Sequence, residues 1–527
     1  MKNGVVKKLA AIFGIVTATF FFLSKLYAKD FGDALIICHM VPLSEINPLI
    51  NTSTMSANII DLIFDPLVEI DEDRNLIPAI AKRWEISPDG RVRTFFIRDD
   101  VFFHNGRKLT SKDVVATYKA ILSNQKASLS SELSNLVDVD SLDDYTVRFT
   151  FKRFDSFFQY FLAFTRIVPQ ELLKDGIDGP KLIGTGPYKV MTFSPYHIEL
   201  QSFDGHFSGR PFLNKIIVNV AKSERACISQ LISGNVDMVF HDEPSDISTI
   251  SKIPGIHQLD IGHGIAYVLL LNRKKFPFSD PQIRRAVDLA LSHDAIEKKL
   301  SENAVYKDVL QQNMTGINPE DFENTYDPLK SLSLLKEKGF VHEKDGYLLE
   351  KGGQKFEFEI SMVKGYLFFT DVFKQIKSLL EDVGVSVSLG IYDMEEFSRK
   401  VFQNRDYQAV LFFIPMRELL PLEYTFWHST ENGGNFLGFS DPQVDRNLDI
   451  LRYGMNEDEQ SKAKQNLIDI LKNDPPLIPL FVLKYQALVN DRFRDFNLDS
   501  FRFFSGLRNV WVPKEKQLRI KQEGSGL

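Results

Sequence analysis

The stretch DLIFDPLVEIDEDRNLIPAIAKRWEISPDGRVRTFFIRDDVFFHNGRKLTSKDVVATYKAIL, Asp61 to Leu122, decides how the rest of the chain is read. Its first apolar run, Leu62 to Ile70, stops at the polar turn Asp71-Glu72-Asp73. Ile80 and Trp84 follow four residues apart, so a short amphipathic helical segment is expected there. Ser87-Pro88-Asp89-Gly90 is turn chemistry, with proline presetting φ and glycine supplying a positive one. Val92 to Ile97 reads as a strand, and Asn105-Gly106 marks the next tight turn. Thr110-Ser111-Lys112-Asp113 is a capping box opening a helix whose inner face is Val114, Val115, Tyr118 and Leu122.

The order of these pieces resembles the block near the N-terminus of mature periplasmic solute-binding proteins of the peptide and nickel ABC-transporter family. The residues that carry it are Pro78-Ala79-Ile80-Ala81, Trp84-Glu85, Ser87 to Gly90, Thr94-Phe95, Ile97-Arg98, Val101 to Gly106 and Leu109 to Val114. Further matches fall on Ile46-Asn47-Pro48, Gly184-Thr185-Gly186-Pro187-Tyr188, Phe212 to Ile216, the run ending Gly234-Asn235-Val236-Asp237, Tyr267 to Asn272, Pro277-Phe278 and Ile283 to Ala286. The resemblance implies an α/β, periplasmic binding protein-like fold, with two α/β lobes joined by a hinge plus an extra α+β domain. It divides the chain into a discontinuous first domain (29–54, 173–270 and 485–527), a second (55–172) and a third (271–484).

The resemblance also implies a site. Thr52, Ser53 and Thr54 correspond to the family segment that runs beside ligand; read alone, they are an exposed Ser/Thr loop. Peptide-binding members carry a motif like G-W-x-x-D-Y-x-D-P after the last strand of the third domain, whose first Asp pairs with the ligand's free α-amino group. Here the same place reads Phe413-Ile414-Pro415-Met416-Arg417-Glu418-Leu419-Leu420-Pro421, so that Asp falls at Arg417 and the Trp at Ile414. Pro415 also removes a backbone N–H that could pair with an extended ligand. A shifted register would hand the Asp's role to Glu418 or Glu423. In the unshifted register the site should not prefer a free amine, and Lys364 is expected nearby as a second cation.

Length and composition fit a large secreted protein. At ~150 residues per domain, 527 residues suggest roughly three to four domains. Apolar content of 44% and charged content of 25% are ordinary for a soluble protein. Met1 to Ala28 has a lysine-bearing start, an apolar run from Leu9 to Leu23 and a small-residue end, the pattern of a cleaved signal peptide (1–28). An uncleaved anchor is the alternative; no cysteine stands at the cleavage site to carry a lipid. Removing this leader takes four lysines and no acid from a formal charge of −7, leaving −11. That balance argues against nucleic acid and anionic membranes as partners. Cys38 and Cys227 could bridge in an oxidising compartment, but Cys38 in a strand and Cys227 early in a helix favour two buried free thiols.

Further along, Tyr145, Val147, Phe149 and Phe151 alternate as one face of a half-buried strand. Asp280-Pro281, Asp327-Pro328 and Asp441-Pro442 each start a helix, with Asp as cap and Pro giving up an N–H that has no partner. Residues 356–414 carry a βαβαβ rhythm. Leu477 to Val489 is an apolar run expected to lead back to the first domain.

Enzyme chemistry leaves little trace. The sequence holds no Gly-x-Ser-x-Gly elbow, His-Glu-x-x-His or Walker motif. His39, His104 and His428 are isolated, and no cofactor or metal is expected. The resemblance therefore implies a periplasmic binding component, acting as a monomer, that hands a short peptide to an inner-membrane ABC permease. Family sites hold extended peptides as an added strand. A non-peptide solute such as a nickel chelate or haem-like compound, or an exported hydrolase or chaperone, are the alternatives.

Overall fold

The computed structural model describes residues 29–43, 46–50, 54–71, 75–124, 133–175, 182–241, 252–300, 326–342, 348–349, 355–364, 367–415, 424, 427–429, 435, 440–474, 477–496 and 504–518. The signal-peptide reading of residues 1–28 lies outside them. The chain opens on β1 (Ala34–His39), then a helix Thr54–Ile63 and a two-stranded ribbon, β2 (Val68–Ile70) and β3 (Leu76–Pro78). Next come β4 (Ala81–Ile86), β5 (Val92–Ile97), β6 (Leu136–Asp143) and β7 (Thr146–Phe151), which form a four-stranded antiparallel sheet in the order β4-β5-β7-β6.

That sheet follows from local chemistry. Gly90 supplies φ +65° at the turn between β4 and β5, and its N–H donates to Ser87 O at 2.8 Å. The capping box at Thr110 forms and starts the helix Ser111–Ser123, which buries Val114, Tyr118 and Ile121. Val147, Phe149 and Phe151 point inward and alternate with half-buried Thr146, Arg148 and Thr150. One expectation fails here: Ile80 and Trp84 belong to no helix, since Trp84 lies on β4 and stacks on Phe95 across the ribbon with ring centroids 6.1 Å apart. A spacing of four fits a strand's period of two as well as a helical turn, and pairing with β5 decides between them.

The rest of the chain builds one ten-stranded sheet. β8 (Tyr188–Ser194), β9 (His197–Ser202), β10 (Lys215–Val220), β11 (Met238–His241) and β12 (Ile256–Leu271) come first. A short ribbon, β13 (Val341–His342) and β14 (Leu348–Leu349), precedes β15 (Glu357–Val363), β16 (Ser386–Tyr392), β17 (Ala409–Pro415) and β18 (Leu477–Asn490). The order is β16-β15-β17-β12-β18-β11-β1-β10-β9-β8. The βαβαβ reading holds: the helix Leu367–Asp382 joins parallel β15 and β16, and Met394–Ser398, capped by Asp393, leads toward β17. Asp280, Asp327 and Asp441 each cap a helix with proline at its start.

Cys38 and Cys227 are disulfide-bonded, with Cα atoms 5.5 Å apart, so the expectation of two free thiols is overturned. Cys38 does lie on a strand and Cys227 in the helix Glu224–Ile232, but that helix packs directly against β1. The crossover between them brings the two side chains within bridging range, which element type alone does not reveal.

Candidate functional site

β12 and β18 are the two longest strands of the ten-stranded sheet, and they pair antiparallel along nearly their whole lengths. Ala266 to Leu271 is a continuous buried apolar run, as befits a strand covered on both faces. The flanking strands attach to opposite ends of this ribbon. β17 pairs with β12 only from Ile265 to Leu271, and β11 pairs with β18 only from Gln486 to Val489. β17 ends with Pro415 opposite Ile265, whereas β11 ends with His241 opposite Gln486, itself opposite Asp260. Since β15 and β16 run parallel to β17, and β1 parallel to β11, two sets of strand C-termini face each other across the ribbon's middle. A register shift between Asp260 and Gly264 falls at that same point. In open α/β sheets, ligands bind outside the carboxyl ends of the strands.

On one side of this crevice His39 ends β1, edge-on to Phe240 with centroids 6.3 Å apart, and Phe240 stacks on Phe504. Burial holds the His39 imidazole below its ordinary pKa, against the contact of its Nδ1 with Val41 O at 3.3 Å. On the other side Tyr267 stacks on Phe481 at 4.7 Å, meets Phe369 edge-on at 5.6 Å and lies 6.4 Å from Phe413. These rings pack the core beside the strand ends on either side, with Tyr267, Phe369, Phe481, Phe240 and Phe504 all buried. Among the described residues, no group of three His, Cys, Asp or Glu is placed to hold a metal ion.

Of the residues named from sequence, Lys364, Phe413, Ile414 and Pro415 lie at the ends of β15 and β17. Lys364 is exposed just past β15, its N–H donating to Tyr392 O at 2.7 Å, and Ile414 and Pro415 pair with Ala266 and Ile265. Thr54 begins the helix Thr54–Ile63. Thr52, Ser53, Arg417 and Glu418, and Glu423 with them, lie outside the described residues. Sequence reading did not single out Tyr267, Phe369 or Phe481 for the site; Tyr267 stood only in a family match, and the rings meet through pairing of distant strands.

One other depression, about 420 Å3, is lined by Lys189, Phe203, Arg210 and Lys215 at the far edge of the sheet on β8 and β9. Two of its three cations are already engaged, Arg210 with Asp204 at 2.7 Å and Lys215 with Glu199 at 3.1 Å.

A sheet whose two halves meet end-on across a pair of long shared strands defines a two-lobed binding protein. The chain belongs to the bacterial extracellular solute-binding proteins, family 5, whose middle region matches residues 75–434. It is 23% identical over 488 residues to the oligopeptide-binding protein AppA of Bacillus subtilis, covering 89% of each chain. It is 28% identical over 355 residues to the nickel-binding periplasmic protein of Escherichia coli, covering 62% of this chain and 65% of that protein. Among solved structures, AppA from Bacillus subtilis in complex with a nonapeptide superposes with a TM-score of 0.80 at 22% identity, covering 92% of this chain and 100% of that one. NikZ from Campylobacter jejuni in complex with Ni(L-His) gives 0.79 at 22%, covering 91% and 99%. These likenesses carry the fold, and the family match carries the class: a solute-binding component of an ABC transporter.

Proposed function

We propose that this chain is a periplasmic substrate-binding protein that captures oligopeptides in the crevice between its two lobes and delivers them to an inner-membrane ABC permease. The observation that carries the reading is the convergence of both sets of strand ends on the middle of the β12–β18 ribbon, bordered by Tyr267, Phe413, Phe240 and His39. A peptide laid there in extended form meets backbone groups, which tolerate many side chains. The near full-length likeness to an oligopeptide-binding protein supports the same ligand class. In this reading the domains are 29–54 with 173–270 and 485–527, then 55–172, then 271–484. Both later boundaries fall inside β12 and β18, so bending of these two strands closes the lobes. Residues 1–28 are removed on export, and the mature chain acts as a monomer.

A metal chelate is the second reading, favoured by the comparable likeness to NikZ and by His39 at the C-terminal end of β1. Native mass spectrometry of the exported protein distinguishes them. A family of peptide masses released on denaturation is expected; a single non-peptide or nickel-containing species would overturn the peptide assignment.

A further inference from the structure

The four-stranded sheet is built as part of one half of the molecule. Gly186 N–H donates to Ile63 O at 2.9 Å and Thr185 Oγ1 to Asp65 at 2.9 Å, fastening the turn that precedes β8 to the segment that leads into this sheet. The helix Pro442–Tyr453 belongs to the other half. It packs on Glu457–Asn473, whose terminal Asp474 takes Arg284 Nε at 2.9 Å, and Arg284 lies in the helix Pro281–Ala290. Yet the two bodies touch at a charged contact well away, in sequence, from the crossing strands.

Asp155, just after β7, receives Arg452 through Nε at 3.1 Å and Nη2 at 3.0 Å, across 297 residues. Both side chains are almost wholly enclosed, at 3% and 2% exposure. Around them Ser156 N–H donates to Arg452 O at 2.9 Å, Ser156 Oγ to Leu451 O at 3.1 Å, and Arg153 lies 3.3 Å over the Tyr453 ring. Each charge also has partners on its own side. Asp155 accepts from Phe157 N–H at 3.0 Å and from Asn135, while Arg452 lies over Tyr424 at 4.8 Å and Tyr453 at 5.1 Å. A buried ion pair with one partner missing is strongly unfavourable, but a pair that separates into water while keeping its own-side contacts is not. That division suits a contact that forms and breaks.

We propose that Asp155 and Arg452 form a clasp through which the four-stranded sheet holds the two halves closed. The open–closed balance is then set at this contact as well as in the β12–β18 ribbon. The proposal rests on the closure motion of the binding-protein reading, but its test needs no ligand. Spin labels placed by Lys119→Cys and Lys462→Cys, exposed positions on the two bodies, report their separation in protein stripped of ligand. The native pair should give a distribution dominated by a short distance. Arg452→Gln should lower the closed-to-open ratio about tenfold, the scale of one charged hydrogen-bonded contact. Asp155→Asn keeps its acceptor for Phe157 N–H and should act in the same direction, providing a folded variant if Arg452→Gln does not fold. Identical distributions in the native chain and in either folded variant would overturn the clasp. The peptide assignment can fail in mass spectrometry without affecting this result.

Discussion

Cys38 on β1 and Cys227 in the helix Glu224–Ile232 are joined by a disulfide that spans 189 residues of sequence. The bridge lies in a small apolar cluster with Leu231, Val236, Val239, Ile256 and Leu488, away from water. Opening so long a loop in the unfolded chain costs about 3–5 kcal/mol of native stability. Cys227→Ser, or unfolding under reducing conditions, should lower Tm by roughly 5–10 °C. Calorimetry with and without reductant checks this, and an unchanged Tm would mean the bridge contributes nothing.

Arg492 lies between two buried carboxylates, bonding Asp237 at 3.0 Å and Asp33 more closely still, with all three side chains at 5% exposure or less. These groups tie the end of β18 to the starts of β1 and β11, and Arg492 also donates to Ala34 O. Arg492→Met should cost about 3–5 kcal/mol, since it leaves two charges without their cation. The denaturant midpoint measures it. Restoring much of the loss with Asp33→Asn in the same chain would identify the stranded carboxylates as the cause.

His104 fastens the turn at Gly184–Gly186: Gly184 N–H donates to its Nδ1 at 3.2 Å and its Nε2–H donates to Gly186 O at 2.9 Å. That arrangement needs the neutral ring. Burial pushes its pKa down to about 4, with Asp65 opposing and His206 assisting. The stability it contributes is complete above its ordinary pKa near 6.5, is lost as pH falls from there towards 4, and changes no further below. Its share is about 1–3 kcal/mol. His293, lowered to about 4 by burial, adds to the same slope. His39 and His257, also lowered by burial, contribute over the same range, so in thermal melts from pH 7 to 4 His104→Gln should reduce the decline without abolishing it; a slope equal to the native one would refute the assignment.

The proposed register at Arg417 makes a distinctive binding prediction. A guanidinium in place of the family's carboxylate repels a ligand ammonium. Matched free and N-acetylated peptides should therefore bind within about threefold of each other, or the blocked peptide better. Calorimetry decides it. A strong preference for the free amine that survives Arg417→Ala and disappears in Glu418→Ala would assign the carboxylate role to Glu418.

Much of the fold was legible because it is local. The turn at Gly90, the capping box at Thr110, the alternation from Val147 to Phe151 and the Asp-Pro helix starts each depend on residues within a few positions of one another. The family block carried the class as well. Of the residues named from sequence, Phe413 to Pro415 lie at the end of β17 against β12 and Lys364 lies just past β15, whereas the packing of Tyr267 on Phe369 and Phe481 was not anticipated.

By itself the sequence determined these short elements, their caps and the binding-protein class, because side-chain period and turn chemistry act over one or two turns of chain. Tertiary structure alone decided that Trp84 lies on a strand, since its spacing suits both periods until β5 pairs with it. It alone joined Cys38 to Cys227 and Asp155 to Arg452, and set the strand ends of the two halves against the middle of β12 and β18. Those contacts link residues hundreds of positions apart, where no local preference operates and only the packing of whole elements fixes which groups meet.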